Sequence, residues 1–311
     1  MINVENLTKS FGDVKAVDAL SFEIGKGTIT GFLGPNGAGK TTTMRLLSGY
    51  LFPDEGSISI AGIPITAQTR ESAELKRYIG YLPENNPLYK DMLVSDLLNF
   101  SAELKKIPRD KRRAAFDFAV TSVKINDVFY RPIGELSKGY KQRVGMAVAL
   151  LHQPDILIMD EPTEGLDPNQ RTEIRALIKE LAKNRTILLS THVMPEAQAI
   201  CDRMLILNKG KLIADGTTDE LFRAAKHERT IILELAGNGV EFSLRTLAGI
   251  EHIDTKDTGA GKVRAKITTS KDTEIRPEIS RLARENHWTI WELREEEHKL
   301  EDIFHKLTSE T

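Results

Sequence analysis

Residues 34–42 read Gly34-Pro-Asn-Gly-Ala-Gly39-Lys40-Thr41-Thr42 and fit the phosphate-loop pattern G-x-x-x-x-G-K-[ST]. An apolar run, 28–33, comes before the loop and predicts a buried strand, and a predicted helix follows it. The glycines let the backbone curl so that its N–H groups point at phosphate oxygens, and the helix start adds the positive end of its dipole. We predict a nucleotide site formed by Gly34, Pro35, Asn36, Gly37, Ala38, Gly39, Lys40, Thr41 and Thr42. In it, Lys40 contacts the β- and γ-phosphates and the Thr41 hydroxyl binds Mg²⁺.

A second apolar run, 156–159, ends in the adjacent carboxylates of Asp160 and Glu161. Ligands of open α/β sheets lie at the carboxyl ends of the strands, so both side chains are expected beside the phosphate loop. We predict that Asp160 holds Mg²⁺ and that Glu161 polarises an attacking water. An isolated Asp-Glu pair is more simply a solvated turn, but the strand and the loop together favour a catalytic site.

The length, charge and composition of the chain limit the classes of protein to which it can belong. The chain has 311 residues, which favours more than one domain, and a formal net charge of −2, which argues against a surface built to coat nucleic acid. Cys201 is the single cysteine, so an intrachain disulfide and a multi-cysteine metal site are excluded. No apolar run reaches the ~20 residues of a membrane-spanning helix, and the first residues lack a secretory signal. We therefore expect a soluble, cytoplasmic chain.

Two domains are predicted from the order of the elements. Residues 1 to about 225 alternate strands and helices as in an α/β domain, with a helical insertion over about 86–150. Asp167 and Pro168 start a helix that runs to about Lys183, and the helical stripe in the insertion comprises Val94, Leu97, Leu98, Ser101 and Leu104. Residues 226–311 predict a small α+β domain with a β-α-β-β-α-β order, which is ferredoxin-like, packed by Trp288 and Trp291. A last helix is expected around Leu300 to Leu307.

Further motifs connect the two nucleotide segments to one family. Residues 136–143 read Leu136-Ser137-Lys138-Gly139-Tyr140-Lys141-Gln142-Arg143 and resemble the signature motif of the ATP-binding subunits of ABC transporters. Gly165-Leu166-Asp167 resembles the D-loop of that family, and Ser190-Thr191-His192 ends in a residue similar to its switch histidine. The resemblance covers residues 1 to about 225. It implies a P-loop ABC ATPase fold with a mostly parallel core sheet, an antiparallel β subdomain and a helical subdomain.

The resemblance also implies roles for individual residues. Phe11 stands where the family stacks an aromatic ring on adenine, although an aromatic near the N-terminus is also a common packing residue. His192 would sense the γ-phosphate and act with Glu161 and Lys40 in catalysis. The residues that would face the nucleotide of a second copy are Ser137, Lys138, Gly139 and Asp167. Two ATP molecules would then lie between two protomers, head to tail, in a homodimer or a heterodimer.

Three residues depart from the family pattern. Glu84 replaces a glutamine and puts a further carboxylate near Mg²⁺, so we count it as a candidate metal ligand. Lys138 replaces a signature glycine, and Glu164 replaces a small residue.

Two segments resemble those of one branch of the family, the branch that pairs with ABC-2 permeases. They are Leu-Pro-Glu at 82–84 and the Ser-Lys-Gly-Tyr signature. This branch includes drug, lipid and gliding-motility-associated exporters.

The predicted function is that of the ATPase subunit of an ABC-2-type exporter. Its partner would be an integral membrane permease, which would hold it at the inner face of the cell membrane, and no nucleic acid is expected. The alternative is a soluble ABC ATPase acting on ribosomes or nucleic acid, although such proteins usually carry two cassettes or long coiled-coil insertions. A non-hydrolysing scaffold is a third alternative, and the intact Lys40, Asp160, Glu161 and His192 argue against it.

A basic cluster lies inside the helical insertion. It comprises Lys105, Lys106, Arg109, Lys111, Arg112 and Arg113. Such a run is typical of a solvated helix face. The alternative is a surface turned toward an anionic membrane leaflet or toward the permease.

Overall fold

The computed structural model describes residues 1–66, 73–225, 228–259, 261–270 and 273–296. Contacts divide the chain into two compact units, the first being Met1–Thr218 and the second beginning at Asp219. The sequence places this division a few residues later, after residue 225. The predicted helix around 300–307 lies outside the described residues.

The described part of the first unit contains two sheets and seven α-helices. Its strands are β1 (Ile2–Phe11), β2 (Val14–Ile24), β3 (Ile29–Leu33), β4 (Glu55–Ile60), β5 (Ile63–Pro64), β6 (Ile79–Leu82), β7 (Ile156–Met159), β8 (Thr186–Thr191), β9 (Arg203–Asn208) and β10 (Lys211–Gly216). The helices are α1 (Lys40–Leu47), α2 (Ala73–Tyr78), α3 (Val94–Leu104), α4 (Arg109–Val123), α5 (Lys138–Leu150), α6 (Pro168–Ala182) and α7 (Met194–Ile200). A further helix, α8 (Thr218–Ala225), begins at the boundary and belongs, apart from Thr218, to the second unit.

A six-stranded sheet forms the centre of the first unit, with the order β10-β9-β3-β8-β7-β6. β9, β3, β8, β7 and β6 pair in parallel, and β10 returns antiparallel to β9. Every residue of β3, β7 and β8 is buried, as expected of central parallel strands that are covered on both faces. The predicted mostly parallel sheet is confirmed.

A second, antiparallel sheet has the order β2-β1-β4-β5. Its inward side chains share one hydrophobic core with the central sheet, and the rings of Phe22 and Phe32 meet edge to face at 5.3 Å. This shared core places the start of β2 beside the end of β3, where the phosphate loop begins.

Helices α3 to α5 form the insertion between β6 and β7. The predicted stripe on α3 is buried at Val94, Leu97, Leu98 and Ser101, but Leu104 at the end of the helix is 68% exposed. The stripe therefore ends one turn earlier than the sequence predicts, because the chain turns away at Lys105.

The second unit contains β11 (Glu228–Ala236), α9 (Val240–Arg245), β12 (Ile250–Gly259), β13 (Lys262–Ser270), α10 (Arg276–Glu285) and β14 (Thr289–Glu295). The four strands are antiparallel in the order β12-β13-β11-β14, which confirms the predicted ferredoxin-like arrangement.

The two tryptophans of the second unit differ in burial. Trp288 belongs to the core and its indole N–H donates to the Asn238 carbonyl at 3.0 Å. Trp291 is 61% exposed, with the Lys262 ammonium 3.6 Å from its ring centre, so the expectation that it packs in the core is wrong. β14 has an irregularity at this point, which turns Trp291 outward.

Candidate functional site

The phosphate loop joins the end of β3 to the start of α1, as predicted. Gly39 precedes α1 with a φ of +99°, in the left-handed region that favours glycine. A Cβ on Gly39 would lie 2.4 Å from the Ala16 carbonyl oxygen, and one on Gly34 would lie 2.4 Å from the Leu207 carbonyl oxygen. Both glycines are therefore needed because neighbouring backbone passes directly against the loop.

Lys40 is buried within the curl of this loop. Its ammonium donates to the carbonyls of Gly34 at 2.8 Å and Pro35 at 3.2 Å, and lies 3.6 Å from Glu161 Oε1. The loop therefore holds a positive charge at its centre, where a phosphate would contact it.

Asp160 follows the last residue of β7 and is completely buried. Its Oδ1 accepts hydrogen bonds from Ser190 Oγ at 2.5 Å and from Thr41 Oγ1 at 3.2 Å. Its Oδ2 is buried with no hydrogen-bond partner among the described residues. A buried, unpartnered carboxylate oxygen beside the Thr41 hydroxyl fits an oxygen-ligated cation such as Mg²⁺.

Glu161 has a φ of +46°, an unusual conformation for a residue with a side chain. Its backbone N–H donates to Ser190 Oγ at 2.9 Å, so one hydroxyl positions both acidic residues. Burial raises the pKa of the Glu161 carboxyl, and the neighbouring His192 and Lys40 partly oppose that rise. The carboxylate is thus made more basic than an exposed one, as proton transfer from a water requires.

His192 lies beside Glu161 at the end of β8. Its Nδ1 is 3.1 Å from Glu161 Oε1, a distance at which an Nδ1–H donates to the carboxylate. On the other side its Nε2 is 3.8 Å from Glu164 Oε2. Ligand atoms of Glu161, Glu164 and His192 all lie within 4.8 Å of one another. The exposed Glu164, one of the departures from the family pattern, therefore adds negative charge next to the histidine.

Lys40, Thr41, Glu161 and His192 open onto one cleft of about 730 Å³, whereas the completely buried Asp160 is not among its lining residues. The predicted site residues that line it are Asn36, Gly37, Gly39, Lys40, Thr41, Thr42, Glu84, Glu161 and His192. Five other residues also line the cleft: Val14, Lys15, Ala16, Glu164 and Lys209. Of these, the sequence motifs pointed only to Glu164. The cleft thus unites segments that are up to 195 positions apart in the chain.

Phe11 is not among the residues that line the cleft. It is 50% exposed at the end of β1 and pairs across the sheet with Val14, which does line the cleft. The Lys9 ammonium lies 5.8 Å from its ring centre. Adenine stacking by Phe11 stays a prediction.

The signature residues lie elsewhere on the first unit. Ser137 caps α5 by accepting a hydrogen bond from the Tyr140 N–H, and Gly139 packs against the Gln170 side chain. The Lys138 ammonium fills the space that a Cβ on Gly165 would occupy. None of Ser137, Lys138 and Gly139 lines the phosphate-loop cleft of its own chain.

Asp167 is also outside the cleft. Its carboxylate accepts a hydrogen bond from the Gln170 N–H at 2.9 Å and so caps α6, as the sequence predicts. Its contact with a nucleotide stays a prediction.

Sequence reasoning missed a buried network behind Glu161. Glu196 on α7 accepts a hydrogen bond from the Thr163 hydroxyl, and its other oxygen lies 3.3 Å from an Arg171 nitrogen. Arg171 also donates to the Leu166 carbonyl at 2.8 Å. Arg171 and Glu196 are ordinary polar positions of α6 and α7, and Thr163 lies in the turn between β7 and α6. The signal in the sequence was that each follows a motif by a few residues.

Comparison with known proteins identifies the family. The model of the family described as "ABC transporter" matches residues 17–164. The chain is 30% identical to the linearmycin resistance ATP-binding protein LnrL of Bacillus subtilis, over 100% of this chain and 99% of that protein. It is 36% identical to the Nod factor export ATP-binding protein I of Burkholderia orbicola, over 72% of this chain and 73% of that one.

A solved structure supports the same conclusion for the fold. The cbiO1 protein of Clostridium perfringens, part of the ABC transporter complex cbiONQ, superposes with a TM-score of 0.62 at 30% identity, covering 72% of this chain and 94% of that one. Within the described part of the chain, no helix is both long and apolar enough to cross a bilayer. Together with the phosphate-loop cleft and its buried carboxylates, these likenesses show that the chain belongs to the ABC transporter ATP-binding protein family and is an ATP-binding ATPase subunit of a transporter.

Proposed function

We propose that this chain is the ATP-hydrolysing subunit of an ABC-2-type exporter. The observation that carries the proposal is the full-length likeness to the linearmycin resistance protein, which includes the second unit as well as the ATPase unit. The likeness to a Nod factor export protein supports the same direction of transport. In this proposal residues 1–225 are the ATP-binding domain and residues 226–311 are an accessory domain. A separate integral membrane permease holds the chain at the inner face of the cell membrane.

Two copies of the chain complete each ATP site in this proposal. The cleft of one chain contains the phosphate loop, Glu161 and His192, whereas Ser137, Lys138 and Gly139 lie outside it. The start of α5 carries backbone N–H groups, the Ser137 hydroxyl and a positive helix end, which suit a γ-phosphate held by a second copy. A head-to-tail dimer therefore places the missing contacts on the nucleotide.

Each residue of the cleft has a separate role in the proposed hydrolysis of ATP. The loop N–H groups and Lys40 bind the β- and γ-phosphates, replacing the carbonyl contacts that Lys40 now makes. Glu161 accepts the proton of the attacking water, because its burial makes it a stronger base. His192 orients the Glu161 carboxylate through Nδ1 and would contact the γ-phosphate through Nε2, which lies 3.8 Å from Glu164 Oε2 in this structure.

Mg²⁺ would be held by Thr41 and Asp160, since the unpartnered Oδ2 of Asp160 fits a cation. Glu84 lines the same cleft and is a further candidate ligand. The ion supplies positive charge that offsets the negative charge of the phosphates.

The test is the molar mass of purified Glu161→Gln by light scattering, with and without ATP. This variant keeps the phosphate loop but lacks the base, so ATP should convert it from monomer to dimer and trap that state. Lys40→Ala in the same background is the control and should stay monomeric because it cannot hold the phosphates. A Glu161→Gln chain that binds ATP and remains monomeric would contradict the homodimeric site.

The exporter assignment has a separate test. A tagged chain expressed in its own cell should co-purify from detergent-solubilised membranes with an integral membrane protein. Recovery with ribosomes and with no membrane protein would replace the transport proposal by the soluble alternative.

A further inference from the structure

Glu164 adds a negative charge to the wall of the cleft, beside the ring nitrogen of His192 that does not contact Glu161. Its Oε2 lies 3.8 Å from His192 Nε2, and its half-exposed side chain lines the cleft. At 3.8 Å this contact is too long for a hydrogen bond. Glu164 therefore acts on this corner of the cleft through its charge.

The backbone holds Glu164 in this position. Its N–H donates to the Glu161 carbonyl at 3.1 Å, and the Leu166 N–H donates to the Thr163 carbonyl at 3.3 Å, so these residues form a hydrogen-bonded turn. Arg171 Nε also donates to the Leu166 carbonyl at 2.8 Å. The carboxylate is thus attached to a fixed turn directly after the proposed base, although the side chain itself reaches solvent.

The charge of Glu164 is not neutralised by a neighbouring cation. No lysine or arginine among the described residues lies within ion-pair distance of its carboxylate, and His192 is its one partner there. The buried Lys40 lies beside Glu161 instead, with its ammonium 3.6 Å from Glu161 Oε1. A phosphate that arrives next to His192 would therefore meet the negative charge of Glu164 directly.

A triphosphate and a diphosphate differ at this corner of the cleft. In the proposed function His192 Nε2 contacts the γ-phosphate, and the inference rests on that contact. A hydrogen bond from Nε2 is about 2.9 Å long, so the γ-phosphate oxygen would lie within about 7 Å of Glu164 Oε2. ADP has no γ-phosphate, and its charge ends one phosphate farther away. The carboxylate therefore repels ATP more strongly than ADP.

We infer that Glu164 is a specificity-determining residue that reduces the preference of the site for ATP over ADP. ADP then competes with ATP more effectively than it would at the same site without this charge. The rate of hydrolysis therefore follows the ratio of the two nucleotides and not the concentration of ATP alone. Neither a permease nor a second copy of the chain is needed for this effect.

Nucleotide binding to the full chain tests the inference. The ligands are ADP and a non-hydrolysable ATP analogue with an imido group between its β- and γ-phosphates, each with Mg²⁺. Calorimetric titration is done at a chain concentration where light scattering shows a monomer. The measured quantity is the ratio of the two dissociation constants, because a general loss of affinity or of folded protein alters both constants alike.

Glu164→Gln removes the charge and keeps the size of the side chain. Its affinity for the ATP analogue should rise about three- to tenfold, the effect of one unit charge at about 7 Å in a half-exposed site. Its affinity for ADP should change less than about twofold, because salt screens the longer interaction. The gain for the ATP analogue should shrink as ionic strength rises.

Two further variants serve as controls. Glu164→Asp keeps the charge and should keep the ratio close to that of the wild type. Glu180→Gln removes a carboxylate from the exposed face of α6, outside the cleft, and should leave both dissociation constants unchanged. Circular dichroism checks the folding of every variant.

Three outcomes would overturn the inference: an unchanged ratio in Glu164→Gln, an equal gain for both nucleotides, or the same change in Glu180→Gln. His192→Ala separates this failure from a failure of the proposed site, because it should weaken binding of the ATP analogue and spare ADP. That result beside an unchanged ratio in Glu164→Gln would remove the role of Glu164 alone. An unchanged ratio in both variants would mean that the γ-phosphate lies elsewhere, and the proposed contact would fail as well.

Discussion

Glu161 has both a strained backbone conformation and a carboxyl group whose pKa is raised by burial. Its φ of +46° costs conformational energy, and burial makes its charged form less favourable. The hydrogen bond from its N–H to Ser190 and the contact with His192 hold it in place. Strain at such a position is tolerated because it aims a basic carboxylate into the cleft.

His192→Ala should shift the pH dependence of ATP hydrolysis. The hydrogen bond from His192 lowers the pKa of Glu161, opposing the rise that burial causes, so its loss raises that pKa further. In the proposed mechanism Glu161 acts as a base only when it is deprotonated, so the acid limb of the kcat profile should move to higher pH. We also expect kcat to fall roughly 10²–10⁴-fold. Steady-state kinetics across pH measure both effects, and an acid limb at its wild-type position would contradict the role of His192.

Gly39→Ala should disrupt the phosphate loop. The new Cβ would lie 2.4 Å from the Ala16 carbonyl oxygen and would force an L-residue to a φ of +99°. We expect a loss of about 3 kcal/mol in the free energy of unfolding, together with weak ATP binding. Gly37→Ala is the matched control, because it has a φ of +83° and no atom within 4 Å of its Cβ. It should cost only about 1 kcal/mol in urea unfolding, and equal losses in the two variants would refute the steric explanation.

At the scale of single residues, the phosphate loop, Asp160 and Glu161 were predicted from short patterns of residue types with one chemical use, and His192 was predicted from the family resemblance. The sequence did not identify Ser190 as the hydroxyl that positions both acids. That role depends on the parallel pairing of β7 and β8, which brings together residues 30 positions apart.

Between elements, the Glu196 network connects three segments that surround the cleft. It joins α7, which follows His192, to Thr163 beyond Glu161 and to Arg171 on α6. Arg171 then holds the Leu166 carbonyl of the 164–167 turn. None of Thr163, Arg171 and Glu196 lines the cleft, so the network supports the turn that follows Glu161 without forming part of the cleft wall.

Glu196→Ala should impair catalysis more than ATP binding. It leaves the Thr163 hydroxyl and the Arg171 guanidinium without their buried partner, which should cost about 1–3 kcal/mol in stability. Because the turn that carries Glu161 loses its support, kcat should fall roughly 10- to 100-fold with a much smaller change in ATP affinity.

Two variants serve as controls for this prediction. Glu196→Gln keeps a hydrogen-bond acceptor for the Thr163 hydroxyl and should recover much of the activity. Arg175→Ala on α6, the helix that carries Arg171, is the control, since the one hydrogen bond of the Arg175 side chain among the described residues goes to Thr172 Oγ1. A parallel loss of ATP binding in Glu196→Ala would show that the network is merely structural.

The elements themselves followed from the sequence with small shifts at their ends. Asp167 and Pro168 start α6 as predicted, and the helix ends at Ala182 beside the expected Lys183. Leu104 shows why ends are harder to place: its spacing fits the buried stripe of α3, but the helix ends there and leaves it exposed. The spacing of apolar residues indicates which face of a helix is buried, but it does not indicate how far along the helix the surface that covers this face extends.

For the molecule as a whole, the two units have separate cores, and the cleft belongs to the first unit alone. Every cleft residue lies between Val14 and Lys209, whereas the core of the second unit begins at Ile231. The site is therefore complete, as far as one chain can complete it, without the second unit.

A chain truncated after residue 225 should accordingly fold and bind ATP with an affinity close to that of the full chain. The physical reason is that truncation removes neither a lining residue nor a member of the first core. Titration with a fluorescent ATP analogue, beside circular dichroism as the check of folding, measures this. A folded truncated chain with strongly reduced affinity would show that the second unit supports the site.

The nucleotide-binding motifs, the α/β class of the first unit, the order of elements in the second unit and the family could all be predicted from the amino-acid sequence. Each is encoded locally, in a motif or in the period of apolar residues. The tertiary structure alone decided that Ser190 serves both acids, that Glu196 braces the catalytic turn, that Glu164 reaches His192 and that the signature lies outside the cleft of its own chain. These depend on contacts between distant segments, which arise only when strands pair and helices pack, and no local pattern records them.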